Sequence, residues 1–220
     1  QDENPRVQLR AIVALARSGD ESTAEAILPL AKDQRMLVHD SEEQVSEPDS
    51  EDWSAPHSVI GHTALKAVVQ LNAVDLLLGK LNDKELREPA LRGLQEIHDE
   101  EVVAGLSATV RTTKDTELAK LITLALFRLY HREAQWDGRT WWKNRPNFQG
   151  PYFQCATWEQ TPAVQAALQA SFRKVDPADY SELFELMRLN QVREGDLDLD
   201  IQYDEALALL SKQTLTQEEM

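Results

Sequence analysis

ALRGLQEIHDE, Ala90 to Glu100, carries a small residue followed by an apolar one, Gly93-Leu94, with Ile97 three positions on. The same arrangement recurs as Ala14-Leu15 in RAIVALARSGD (Arg10–Asp20), Ala67-Val68 in ALKAVVQLNAV (Ala64–Val74) and Ala125-Leu126 in ITLALFRLYHR (Ile122–Arg132). Ser18, Leu71 and Leu129 take the place of Ile97. Spacings of three and four put such positions on one face of a helix, and a small residue there lets a neighbouring helix come close. Each stretch therefore predicts a packing helix. A short polar break follows each of the first three, and then a second amphipathic stretch: GDESTAEAILPLAK, NAVDLLLGKL and HDEEVVAGLSATV. The unit is a helical hairpin.

The paired positions are separated by 53, 26 and 32 residues, and the longest interval contains the run Asp40–Asp52, with seven acids and no Lys or Arg. Removing an insertion of roughly twenty residues there restores a period in the thirties, the range of helical repeats. The run reads as a solvated loop at about 34–56, having little apolar content and no compensating charge. Glu194–Met220 is the other acidic segment, with eight acids against Lys212, so the two hold most of the formal charge of −15. The remainder is close to neutral and offers no extended basic surface, which argues against nucleic acid as a partner.

Cys155 is the single cysteine, which excludes an internal disulfide and any CxxCH or zinc-type spacing in this chain. No apolar run approaches the ~20 residues of a membrane span. The amino terminus is polar and enters a helical pattern almost at once, so the chain is expected to be a mature or excised piece of something longer. No segment alternates for long enough to predict a strand, and the fold class expected is all-α.

At these residues the chain resembles the HEAT family of α-solenoid repeats, over Pro5 to about Glu133. The order HTALKAVVQLNAVD, LRGLQEIHDEEVVAGL, LFRLYHREAQWDGRTWWKNRPNFQGPYFQCATWEQ is similar to the HEAT region of large exported multidomain proteins of planctomycetes and related bacteria. There, the resemblance implies, the region lies between a sugar-dehydrogenase-type propeller and a c-type cytochrome domain, and so outside the cytoplasm. This chain has neither propeller-like strands nor a haem motif. The expectation is a right-handed α-solenoid of about four HEAT-like hairpins over 1–133, an irregular aromatic loop over 134–160, and C-terminal helices forming a cap over 161–220.

Half of the fourteen aromatic residues lie between Trp136 and Trp158: Trp136, Trp141, Trp142, Phe148, Tyr152, Phe153 and Trp158. Arg139, Lys143 and Arg145 are interleaved with them, and Gly138, Pro146, Gly150 and Pro151 break any helix. A loop of this length is functional or disordered more often than idle, and the aromatics argue against disorder. One reading folds the rings over exposed helix ends, with an arginine or lysine on an indole face. The other leaves part of the patch open for recognition, since Trp, Tyr and Arg dominate interface hot spots. Trp141, Trp142, Arg145 and Tyr152 lead the contact residues expected on that reading, with Trp136 and Arg139 beside them. A protein partner or adjacent domain is favoured over a glycan, because solenoids mainly present extended surfaces to proteins.

The role expected is a non-catalytic scaffold or interaction module without cofactor or metal. Alternatives are the docking region of an exported redox enzyme and carbohydrate binding by the aromatic loop. His57, His62, His98 and His131 form no metal-binding pattern, and His98 and His131 fall at the turns after their repeat helices, as Gly19 and Asn72 do. GDLDLDIQYDEAL has Ile201 and Leu207 where a calcium loop needs Gly and Glu. Cys155 lacks a sequence-local His to activate it, and a glycosidase pair from Glu133, Asp137 and Glu159 depends on a separation that sequence does not supply. Thr161-Pro162 and Asp176-Pro177 predict helix starts with a capping side chain before the Pro.

Overall fold

Nine α-helices and a two-stranded ladder carry the described residues, 4–32, 56–139, 151–152 and 154–197, of a computed structural model. Of the expectations above, the acidic loop lies outside these residues up to Asp52 and beyond it to Ala55, and so do Trp141, Trp142, Lys143, Arg145, Phe148 and Phe153. The chain divides into two compact units after Ile97.

The first unit holds α1 (Pro5–Ser18), α2 (Glu21–Ile27), α3 (Pro56–Gln70), α4 (Val74–Gly79) and α5 (Arg87–Leu94). Asn4 starts α1: its side-chain oxygen accepts from the Arg6 amide at 3.0 Å and Pro5 occupies the first turn, where its missing N–H costs nothing. Pro29 tightens the end of α2 into a 3-10 turn, Leu28–Lys32. Asn72 ends the α3 hairpin with φ of 52°, a left-handed conformation that Asn tolerates better than other side-chain-bearing residues. α1 packs on α3 and α3 on α5, while α2 packs on α4. The core between them is Ile12, Ile27, Leu28, Ala64, Ala67, Val68, Leu77, Leu81, Leu91 and Leu94.

Gly93 supplies the close approach that the repeat pattern requires. A Cβ added there would lie 3.0 Å from Leu77 Cδ1, so the Leu77 side chain of α4 lies against the α5 backbone at Gly93. Gly93→Val is expected to destabilise by about 1–3 kcal/mol through overpacking, read as a lower urea midpoint. An unchanged midpoint would remove the close approach as the reason for a small residue.

The second unit holds α6 (Glu100–Thr112), α7 (Thr116–Tyr130), α8 (Thr161–Phe172) and α9 (Tyr180–Leu189). α8 packs along both α6 and α7, and α9 packs on α7. α7 is apolar nearly all round, burying Leu118, Ala119 and Ile122 through Phe127 with Leu129 and Tyr130, as befits a helix covered on several sides. Asp99 and Asp115 cap α6 and α7 by accepting from Glu101 N at 2.8 Å and Leu118 N at 3.1 Å. Lys174 closes the other end of α6, donating to the Arg111 and Thr113 carbonyls at 3.1 Å each. Lys120 on α7 joins α9 through Asp179 at 2.9 Å and Glu182 at 2.7 Å.

Two details differ from the sequence expectation. A short antiparallel ladder, β1 (Arg132–Glu133) with β2 (Cys155–Ala156), closes the base of the aromatic insertion. Two residues per strand are too few to show a period of two. Asp176 caps as expected, accepting from Ala178 N at 3.0 Å, but Thr161 is the first residue of α8 and Gln160 precedes it as cap. The Thr161 hydroxyl is engaged at the end of α7 instead.

Candidate functional site

The last carbonyls of a helix have no partner within it and must find one elsewhere. At the end of α7 that demand falls on Arg128, Leu129 and Tyr130, and three side chains meet it. The Tyr152 hydroxyl donates to the Arg128 carbonyl, Trp158 Nε1 donates to the Leu129 carbonyl at 2.8 Å, and the Thr161 hydroxyl donates to the Tyr130 carbonyl at 2.9 Å. One residue on, His98 Nε2 donates to the His131 carbonyl at 2.6 Å. The returning end of the insertion is thus fastened to the end of the helix from which the insertion departs.

Rings pack around these bonds. His98 meets Trp158 edge-on with centroids 5.2 Å apart, and Tyr152 lies 6.4 Å from both His98 and His131. The Arg128 guanidinium sits 4.2 Å over the Tyr152 ring, a cation–π contact made by a helix residue and not by an arginine of the loop.

An open cleft of about 740 Å³ lies against the same helix end, lined by Tyr130, His131, Cys155, Arg188, Arg193 and Asp196 among others. His131 Nε2 faces the Gln191 carbonyl at 3.2 Å, which requires the proton on Nε2. Burial lowers the His131 pKa below 6.5, outweighing the Gln191 and Ala156 carbonyls and Asp196, which raise it; Arg193 lowers it further. Burial and the charge of Glu133 both raise the Cys155 thiol. The cleft therefore brings together a neutral imidazole and a protonated thiol. Neither is an activated nucleophile, because the thiolate is the reactive form.

The sign of the His131 shift sets a pH prediction. Lowered in the folded state, it contributes stability that is present above about pH 6.5 and is lost as pH falls through the folded value, where only the unfolded chain has gained the proton. Urea unfolding at pH 7.5 and 5.5 is expected to show a larger loss for the native chain than for His131→Asn. Equal losses would refute it.

Of the contact residues expected from sequence, Trp136 is 59% exposed and Arg139 is also exposed, its amide donating to Asp137 at 2.8 Å. Tyr152 is 2% exposed, so its ring is spent on the helix terminus and does not offer an open contact. Trp141, Trp142 and Arg145 lie outside the described residues. Glu159 pairs with Arg132 at 3.6 Å and Glu133 accepts from Gln154 N at 2.7 Å, so these two carboxylates serve the base of the insertion.

His98, Arg128 and Thr161 are the residues whose part here the sequence reading missed. A signal existed for His98: it and His131 fall at the turns after their repeat helices, and the two are hydrogen-bonded. Comparison with family models, curated proteins and solved structures finds no match to this chain.

Proposed function

We propose that the chain is a non-catalytic interaction module, in which HEAT-like helical pairs stack as a right-handed α-solenoid and the aromatic insertion meets a protein partner or neighbouring domain. The observation that carries this reading is the contrast within the insertion. Its base is fixed to the end of α7 by the Tyr152, Trp158 and Thr161 bonds, whereas Trp136 stands 59% exposed and Arg139, three residues on, is exposed as well. An exposed indole on a rigid base has little ordering entropy left to lose on binding, which favours affinity. The packing order within each unit supports the stacked arrangement: α1 on α3 on α5 in the first, and α7 on α9 with α6 on α8 in the second. On this reading α8 completes the fourth pair, and the insertion sits in the turn between α7 and α8.

Trp136→Ala with Arg139→Ala is expected to weaken the partner by at least about tenfold, the loss typical of a hot-spot aromatic, while leaving the melting temperature unchanged. Proteins recovered from an extract of the source organism by the native chain and then measured for Kd against both chains provide the test. Equal affinity for the two chains would end the proposal. A tryptophan-fluorescence change on a glycan panel, abolished by the same substitutions, would move the reading to carbohydrate binding.

A further inference from the structure

Thr157, Arg188 and Arg193 reach the cleft beside Tyr130 and His131 from three separate stretches of the second unit. Arg188 stands in the last turn of α9, Arg193 lies just past it, and Thr157 follows β2. Gln191 turns the chain between the two arginines. It takes a left-handed φ of 59°, and the amide after it, Val192 N, donates to the Met187 carbonyl at 3.1 Å, as where a helix end closes on itself. Two side chains hold the turned segment in place: His131 Nε2 donates to the Gln191 carbonyl at 3.2 Å, and Gln165 of α8 donates to the Asp196 carbonyl. The arginine-bearing rim is therefore fixed to the end of α7 and to α8 before any ligand arrives.

Depth separates the lining by chemistry. Tyr130 and Val192 are buried and Cys155 is half-buried, so the floor is apolar or, at the thiol and the His131 imidazole, uncharged. Arg188, Arg193 and Thr157 are exposed and form the rim. Neither arginine has an ion pair among the described residues, in a chain whose net charge is −15. Asp196 is the one acid among the described lining residues, and its carboxylate accepts from the Arg193 amide at 3.3 Å. Two guanidinium charges against one carboxylate leave the rim a single positive charge, which one further carboxylate balances and a doubly charged phosphate exceeds. The volume of about 740 Å³ lies in the range of small-molecule sites.

We propose that this cleft binds a small carboxylic acid with an apolar body, the body lying on the floor against Tyr130 and Val192 and the carboxylate held at the rim by Arg188 and Arg193. The planar donor fork of arginine matches the two oxygens of a carboxylate, and the Thr157 hydroxyl supplies a further donor beside them. Trp136 and Arg139 do not line the cleft, so binding here is independent of the partner expected at the insertion.

Calorimetric titration of the full chain with phenylbutyrate, its amide and the corresponding amine tests it, since the three share a body and differ in the end group. Binding of the carboxylate alone is expected, weakening with added salt. Arg188→Gln and, separately, Arg193→Gln are expected to weaken it by about tenfold, whereas Arg173→Gln, past the end of α8 and outside the cleft, leaves it unchanged. Melting temperatures of all three variants stay near that of the native chain because the sites are exposed. Cys155, the single cysteine, locates the ligand: bound phenylbutyrate is expected to slow its alkylation by N-ethylmaleimide, half-maximally at the calorimetric Kd. Equal binding of the three compounds, no binding of the carboxylate at millimolar concentration, indifference to both cleft substitutions, or binding without protection of Cys155 would overturn the proposal. So would displacement of phenylbutyrate by an equal concentration of inorganic phosphate, since the rim would then read charge alone.

Discussion

Phe127→Ala should lower the stability of the second unit by about 3–5 kcal/mol, the usual cost of removing a fully buried aromatic ring. Phe127 lies on α7 with no exposed surface, and its ring meets Phe172 of α8 at 6.0 Å between centroids. Phe172 in turn stacks on Phe184 of α9 at 5.8 Å and meets Tyr180 at 6.0 Å, so one ring on α7 begins a chain of contacts reaching α8 and α9. The Tyr180 hydroxyl donates to the Phe172 carbonyl at 3.1 Å, which holds the start of α9 to the end of α8. The cavity left by Ala adds to the lost transfer energy, because the neighbouring helices relax only partly. Chemical unfolding followed by far-UV circular dichroism gives the measurement. A loss below about 1 kcal/mol would show that these helices are not held through this ring. Phe127→Leu, which keeps much of the volume, is expected to fall between the two.

This ring chain marks how far the sequence could be read. The positions of α1, α3, α5 and α7 follow from a pattern, small-then-apolar at helical spacing, that each helix carries within itself. Such local periodicity survives in a single sequence because it reflects one face of one helix. The aromatic insertion has no period. Its ring placement depends on which unpaired carbonyls lie within reach, and those belong to α7, some twenty to thirty residues earlier. Tyr152, a contact residue only on the open reading of the patch, is drawn inward by the Arg128 carbonyl and guanidinium, and nothing in the local sequence around Tyr152 records either. Cys155 and His131 likewise come to line one cleft through the β1–β2 ladder, a pairing two residues long. Thr161-Pro162 was legible as a helix start, since Pro in the first turn is a local signal. The destination of its hydroxyl was not.

Thr161→Val tests that destination, and its expected cost is about 2–4 kcal/mol from two buried groups left unpaired at nearly constant side-chain shape. The hydroxyl donates to the Tyr130 carbonyl at 2.9 Å and accepts from the Trp158 amide at 2.9 Å, at a site with little solvent to replace either bond. A methyl group in its place strands one acceptor and one donor together. Thr161→Ser keeps the hydroxyl and should stay within about 1 kcal/mol of the native chain, losing only a methyl group. Trp158→Phe, removing the indole donor to the Leu129 carbonyl, is a second break in the same anchorage. Because the Trp158 indole and the Thr161 hydroxyl hold adjacent carbonyls of the same helix end, the double substitution should cost less than the two single costs added together. A Thr161→Val loss within about 0.5 kcal/mol would mean that the insertion is not held by the end of α7, and the rigid base under Trp136 would go with it.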